Sequence, residues 1–207
     1  MRAIAVASVC IALNLAGCAS MSKDECRVVD WRTVGYEDGV AGRASDTIGR
    51  YRKACASVGV APDLDAYRAG RAEGLREYCQ PQNGFRAGAH GADYAGFCPA
   101  DLAPAFTQAY DSGLELHTRK QRLNEAIARL ASTRSEIDSI EHQLISNSAV
   151  VLAKESSSEA RAQALLETTQ LAERHQHLQE ALPQLEQDKW RCEHELEEYE
   201  TRLASRR

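Results

Sequence analysis

The position of glycine along the chain is the feature that most restricts how it can fold. All thirteen glycines lie between Gly17 and Gly113, and residues 114–207 contain none. Because glycine inside a helix costs about 1 kcal/mol relative to alanine, the two parts must be organised differently. We predict an all-α protein, with a glycine-rich helical head over residues 24–112 and a helical tail over residues 113–207.

Within the head, an aromatic residue followed by two residues and a glycine occurs four times. The copies are Tyr36–Gly39, Tyr67–Gly70, Phe85–Gly88 and Tyr110–Gly113. Repeated glycines at helical spacing leave one helix face without side chains, so another backbone can approach closely. This predicts short, tightly crossed helices near residues 30–42, 46–57, 63–78 and 102–118, with a turn at residues 80–84. The alternative is an exposed groove of aromatic and glycine residues that receives a peptide or glycan strand.

The first residues have the layout of an export signal. Arg2 is followed by a short apolar run over residues 3–13 and then by Leu15-Ala16-Gly17-Cys18. These four residues resemble the bacterial lipobox, whose cysteine sulfur receives a diacylglycerol before the peptide is cut. The resemblance implies a signal peptide over residues 1–17, a lipidated Cys18 and a tether over residues 18–23. An ordinary secretory signal with a chance cysteine is the alternative.

Stable attachment by acyl chains such as palmitate follows from the free energy of burying their methylene groups, about 0.8 kcal/mol each. Ala19 and Ser20 follow the cysteine, and no aspartate is present there. By resemblance to sorted lipoproteins, this favours the outer membrane, with the chain facing the periplasm. The membrane is therefore an expected partner through the lipid.

Four of the seven cysteines fall in the head, where export places them in an oxidising compartment. Two disulfides are expected, and spacing favours Cys26–Cys55 with Cys79–Cys98 among the three possible pairings. The spacings contain no zinc knuckle with two to four residues between cysteines. We therefore expect no metal and no cofactor.

The tail carries apolar residues at intervals of seven. The first series is Leu116, Leu123, Leu130, Ile137 and Leu144, with Ala126, Thr133 and Ile140 between them. The second series is Leu171, Leu178, Leu185, Cys192 and Tyr199, with His175, Leu182, Lys189, Leu196 and Leu203 four residues further on. Alternating steps of three and four residues between apolar positions are typical of coiled coils.

The two series are out of phase by one residue, and a serine-rich segment separates them. Ser156 with Glu159 matches a helix-capping pattern there. We predict a helical hairpin with arms over residues 112–153 and 158–204, and a kink at Pro183. The alternative is a single long helix that dimerises with a second copy. Cys192 is either a small apolar core residue or an intermolecular disulfide between parallel copies.

The spacing of the head residues resembles one family. The residues that carry the resemblance are Cys26, Trp31, Gly35, Tyr36, Asp38, Gly39, Gly42, Cys55, Tyr67, Gly70, Gly74, Tyr78, Cys79, Gly88, Gly91 and Cys98. This pattern is similar to DUF2799, a family of bacterial envelope lipoproteins without an assigned activity. The resemblance implies an envelope location and disulfides, but it implies no chemistry.

The function predicted from these features is structural. A net charge of −5 and a pI near 5.7 argue against nucleic acid as a partner. The chain contains no nucleophile elbow, phosphate-binding loop or dinucleotide fingerprint, so we expect no catalysis. We expect an envelope lipoprotein that binds a protein partner, or itself, through the coiled coil. The alternative is a periplasmic module that binds peptidoglycan or a peptide.

Overall fold

The computed structural model describes residues 21–205, and these residues form helices without any strand. The all-α prediction is therefore confirmed. The predicted signal peptide, Cys18 and the first half of the predicted tether lie outside the described residues. The helices are α1 (Lys23–Val28), α2 (Trp31–Val40), α3 (Thr47–Cys55), a 3-10 turn (Ala56–Val58), α4 (Leu64–Tyr78), α5 (Pro81–Ala89), α6 (Ala103–Leu152) and α7 (Ser158–Ala204).

The chain divides into two compact units, Met1–Tyr78 and Cys79–Arg207. The first unit holds α1 to α4 and the second holds α5 to α7. The glycine-rich head of residues 24–112 is thus shared between the two units. Its end at residue 112 falls inside α6, because the loss of glycine marks a change in what the helix packs against and not the end of the helix.

Three of the short helices lie where the sequence predicts them, and α4 shows why. Asp63 precedes this helix, and its side chain accepts hydrogen bonds from the backbone N–H groups of Asp65 and Ala66 at 3.1 and 3.0 Å. These bonds satisfy two of the donors that a helix start leaves unpaired. The fourth predicted helix, near residues 102–118, is the beginning of the much longer α6.

The turn predicted at residues 80–84 is wrong, since this segment begins α5. Pro81 occupies the first turn of the helix, where the backbone N–H of any residue lacks an intrahelical partner. The missing N–H of proline therefore costs no hydrogen bond there. Gly84, which together with Pro81 suggests a turn, lies against the backbone of Phe106 on α6. The short helix α1 was also absent from the sequence prediction; it starts with a capping box between Ser22 and Glu25.

In the first unit, α2 and α4 cross at their glycine faces. A Cβ atom on Gly35 would overlap the carbonyl oxygen of Tyr67, and one on Gly70 would overlap the carbonyl oxygen of Arg32. Gly39 and Gly74 meet the facing backbone in the same way. All four glycines are buried. The close helix contact predicted from the glycine spacing is therefore confirmed, and the partner helix fills the glycine face.

In the second unit, α5 and α6 repeat this arrangement. A Cβ on Gly84 would overlap the carbonyl oxygen of Phe106, one on Gly88 that of Tyr110, and one on Gly113 that of Phe85. The backbone atoms met by Gly84, Gly88 and Gly113 correspond in order to those met by Gly35, Gly39 and Gly74. Each unit thus contains one pair of helices whose contact faces are formed by glycines, which we call a glycine-notched helix pair.

The correspondence extends to the turns and disulfides. Gly42 and Gly91 end the first helix of each pair in a left-handed conformation, with φ of 65° and 69°. A Cβ on Gly42 would meet the Tyr78 ring, and one on Gly91 would meet the His117 ring. One disulfide also closes each pair, Cys26–Cys55 in the first unit and Cys79–Cys98 in the second. In both, one cysteine precedes the first helix of the pair, and the other lies in the segment that connects the two helices. The favoured pairing is confirmed.

The two long helices α6 and α7 pack against each other as the predicted hairpin. Every residue of the predicted apolar series is buried or half-buried, from Leu116 to Leu144 on α6 and from Leu171 to Leu203 on α7. Residues 153–157 form the connection. Ion pairs join the arms along their length, including Arg134–Glu186 at 2.6 Å and Lys120–Glu200 at 3.5 Å.

The cap of α7 differs by one residue from the prediction. Ser157, and not Ser156, accepts the hydrogen bond from the N–H of Ala160, at 3.1 Å. The extended backbone of Ser157 lets its hydroxyl reach back over the first turn. The helix continues through Pro183, and the kink there stays a prediction. Within residues 21–205, the hydropathy of the helices is too low for any of them to cross a bilayer.

Two glycine-to-alanine substitutions test the helix contact. Gly70→Ala places a methyl group against the backbone of α2, so we expect it to lower the free energy of unfolding by about 1–3 kcal/mol. Gly49→Ala is the matched control, because no atom lies within 4 Å of its Cβ position in α3. It should be neutral or stabilise by up to about 1 kcal/mol. Urea unfolding followed by circular dichroism measures both, and equal effects would contradict the contact.

Candidate functional site

A buried carboxylate is the most distinctive chemical feature of the first unit. Asp38 is 1% exposed and lies on α2 between Gly35 and Gly39. Its Oδ1 accepts hydrogen bonds from Tyr51 Oη at 3.0 Å and from Arg43 Nη1 at 2.8 Å. Its Oδ2 accepts one from Tyr67 Oη at 2.7 Å. One carboxylate therefore joins α2, α3, α4 and the turn after α2.

Local sequence explains how these groups meet. Asp38 shares the contact face of α2 with the two glycines, which brings it against Tyr67 on α4. The left-handed Gly42 reverses the chain and places Arg43 beside its own helix, with the Arg43 N–H donating to the Asp38 carbonyl at 2.9 Å. Tyr51 reaches the same carboxylate from α3, where it also packs 6.4 Å from the Trp31 ring.

The electrostatics of this cluster keep the phenols protonated. Burial is the main reason that the pKa of Tyr51 and that of Tyr67 are raised, and the hydrogen bond to Asp38 adds to it in both. The hydrogen bond to Asp38 is also the main reason that the pKa of Arg43 is raised. Both tyrosines are therefore fixed donors, and the carboxylate has its two oxygens engaged. The arrangement favours rigid positioning over proton transfer.

The second unit builds its helix pair without this carboxylate. The positions that correspond to Asp38, Arg43 and Tyr67 hold Ala87, Ala92 and Phe106. Tyr94 stands four residues before Cys98, as Tyr51 stands before Cys55, and its buried hydroxyl has no hydrogen-bond partner among the described residues. The polar cluster is therefore not needed to bring two such helices together.

A cleft of about 390 Å³ lies beside this cluster in the first unit. Tyr67 belongs to both, because it lines the cleft and its hydroxyl donates a hydrogen bond to Asp38. The other lining residues are Ser45, Ile48, Leu64, Arg68, Arg71, Ala72 and Leu75. The cleft thus combines aliphatic walls with two guanidinium groups.

The hairpin offers a second candidate surface. In an antiparallel pair, residues that directly follow seam residues lie on the same flank of both helices. The Arg134–Glu186 pair joins the arms on this flank, whereas Arg174 and Glu136, which precede seam residues, pair on the other. We call the first of these the trailing flank. Five large exposed apolar side chains occupy it, Ile127, Ile145, Leu152, Leu165 and Trp190.

The part of the trailing flank near the connection carries no charge. Its members, which we call the distal patch, are Ile145, Ser148, Leu152, Ala162, Leu165, Thr169 and Ala172. Ile145 is 69% exposed, Leu152 81% and Leu165 55%. The opposite flank at the same level is polar, with Gln143, Ser146, Gln163, Glu167, Gln170 and Arg174. An exposed apolar patch on one flank alone is typical of a surface that binds a partner.

The predicted site residues fall into three groups. Cys26, Cys55, Cys79 and Cys98 form the two disulfides described above. Cys192 has a free thiol, half-buried in the seam of the hairpin, and its intermolecular disulfide stays a prediction. The lipidated Cys18 lies outside the described residues. Among residues 21–205, no group of three or more histidine, cysteine or acidic side chains could hold a metal ion.

Asp38 was not among the site residues that the sequence predicted. A usable signal was present, since Asp38 stands directly before Gly39 on a helix whose glycine face is buried. An acid next to such a face must find donors or remain in water. Which donors it finds depends on Tyr51 and Tyr67, which are distant in sequence.

The second unit suggests a direct test of the Asp38 cluster. Asp38→Ala alone leaves Arg43 and two phenols without their acceptor, so we expect it to destabilise by about 3 kcal/mol or more. The triple variant Asp38→Ala, Arg43→Ala, Tyr67→Phe reproduces the residues of the second helix pair and removes most of these donors. It should be more stable than the single variant in urea unfolding. A triple variant that is less stable than Asp38→Ala would contradict the correspondence.

Comparison with known proteins bears on the glycine-rich part of the chain. The model of a family described as a protein of unknown function, DUF2799, matches residues 30–115. The match spans both glycine-notched helix pairs and stops early in α6. No curated protein and no solved structure matches the chain significantly. The chain is therefore similar to the DUF2799 family over residues 30–115, as its glycine and cysteine spacing predicts.

Proposed function

We propose that this chain is a lipid-anchored envelope protein without catalytic activity that binds a helical protein partner through its hairpin. The observation that carries the proposal is the distal patch, an uncharged surface on a helix pair that is otherwise rich in charge. The export signal and lipobox support the location, and the two disulfides suit an oxidising compartment. The outer membrane, on its periplasmic side, is the site that the residues after Cys18 favour.

The chemistry of the distal patch favours a helix as its occupant. Large aliphatic side chains at Ile145, Leu152 and Leu165 alternate with the small side chains of Ser148, Ala162 and Ala172. Such an alternation provides ridges and shallow depressions for the side chains of a crossing helix. A strongly charged partner would lose solvation there without gaining an ion pair. The partner surface is therefore apolar and uncharged in its centre, with polar residues at its edge.

The lipid anchor is tested at Cys18. Radioactive palmitate should label the wild-type protein expressed in a bacterial host that makes lipoproteins, because the thiol and the new amine at residue 18 carry the acyl chains. Cys18→Ser should abolish the label and, because the peptide is cut only after the thiol is modified, leave the chain as an uncut precursor of higher mass. Cys192→Ser is the matched control, since it removes a thiol from the tail and should keep the label. An unlabelled wild-type protein would contradict the anchor.

Docking through the hairpin is tested by crosslinking in cells. A photo-crosslinking amino acid at Leu165, in the distal patch, should give an adduct with a specific protein, identified by mass spectrometry. The same amino acid at Gln163, on the opposite flank, should give little. The double substitution Ile145→Glu with Leu152→Glu should abolish the Leu165 adduct, because two charges would have to be desolvated at the interface.

The control for that double substitution is Ser146→Glu with Gln143→Glu, which adds the same charge to the opposite flank. It should leave the Leu165 adduct unchanged. Equal crosslinking from both flanks, or none from either, would contradict the proposal. An adduct with a second copy of this chain would assign the distal patch to self-association in place of a different partner.

A further inference from the structure

We propose that the cleft beside the Asp38 cluster binds a small ligand that has one carboxylate or phosphate head and a short apolar body. The cleft lies wholly in the first unit, between α4 and the segment that contains Ser45 and Ile48. It is separate from the hairpin, so this inference does not depend on the proposed docking function. Its basis is the combination of volume, charge and fixed geometry.

The walls of the cleft define the apolar part of the ligand. Ile48, Leu64 and Leu75 supply aliphatic surface, and Tyr67 also lines the cleft. Leu64 is 44% exposed, so part of this aliphatic surface is in contact with water. A volume of about 390 Å³ is within the range of small-molecule sites, which begins at roughly 300 Å³. A chain or ring of moderate size would remove this aliphatic surface from water.

The polar groups of the cleft define the head. Arg68 and Arg71 follow each other by one turn of α4, so both guanidinium groups lie along the same side of the cleft. Arg68 pairs with Asp65 at 3.7 Å, but the two side chains are 73% and 97% exposed. Such an exposed pair contributes little, so a ligand anion can take its place. Guanidinium groups bind carboxylate and phosphate in preference to neutral heads.

The Asp38 cluster holds these groups in place before any ligand arrives. Asp38 fixes Tyr67 through one oxygen and Arg43 through the other. The carbonyl oxygen of Arg43 in turn accepts a hydrogen bond from Arg71 Nη2 at 2.8 Å. The buried carboxylate therefore positions a wall of the cleft, and the backbone of Arg43 holds one of its two cations. A site that is ordered in advance loses less entropy on binding.

The second unit provides an internal comparison. Tyr110 occupies the position of Arg71, and its hydroxyl donates to the Ala92 carbonyl at 2.9 Å, as Arg71 donates to Arg43. Thr107 stands in the position of Arg68, and Asp111 in that of Ala72. The same helix pair is thus built with neither arginine and with an added acid. The positive charge of the first unit is consequently not a requirement of the helix pair, since Tyr110 makes the corresponding hydrogen bond without it.

The test uses the mature chain, isotope-labelled and titrated by NMR with three probes that share one apolar body: octanoate, octyl phosphate and octanol. We expect both anions to shift the amide signals of residues 45–48 and 64–75, and octanol to bind at least about tenfold more weakly. Inorganic phosphate alone serves as a fourth probe, which separates recognition of the head from that of the whole amphiphile; it should bind more weakly than octyl phosphate.

Arg68→Gln removes one cation without touching the Asp38 cluster, so the protein should fold and lose about tenfold in affinity for the anions. Arg76→Gln, on the same helix but outside the cleft, is the matched control and should bind as the wild type does. Equal affinity for octanol and octanoate would overturn the proposal, because the site would then be merely apolar. Absence of shifts with all the probes, or equal loss in both variants, would overturn it as well.

Discussion

Close contact between helix backbones is the constraint on which the glycine-rich part of this protein depends. In both units, a glycine on one helix lies against a carbonyl oxygen of the other, so that even a methyl group would overlap it. Each glycine lowers the helix propensity of its own segment, and this cost is offset only when the two helices pack. A disulfide closes each pair and limits the freedom of the unfolded segment. Each of these helices is therefore more stable when it is packed against its partner than it would be alone.

The two helix pairs share this frame but differ in what they add to it. The first places a carboxylate, two phenols and a guanidinium at its centre, whereas the second places alanines and aromatic rings there. Exchange of a complete set of hydrogen-bonding partners for an apolar set need not cost stability, while loss of one member does. The frame therefore tolerates either solution, and the polar one provides a rigid wall with attached cations.

The tail follows a different rule, since side chains and not backbone form its contact. Leucine and isoleucine at intervals of seven form one seam. Ion pairs between the arms show which flank of α6 lies beside which flank of α7. This period could be recognised in the sequence because a coiled coil depends on local spacing. The phase change between the arms predicted the connection. The sequence could not predict the cap at Ser157 in the same way, because its neighbour Ser156 is the same residue type and only the backbone conformation selects the cap.

By itself, the sequence determined the helical class, and it favoured the observed disulfide pairing, the hairpin and the closeness of the helices in the head over their alternatives, because each depends on spacing along the chain. It did not determine α5, where Pro81 and Gly84 are typical of a turn; the structure instead places Gly84 against the backbone of α6. Nor did it determine the partners of Asp38, which come from three separate elements. The cleft and the one-sided distal patch also required tertiary structure, because burial and exposure are properties of the packed helices and not of any single segment.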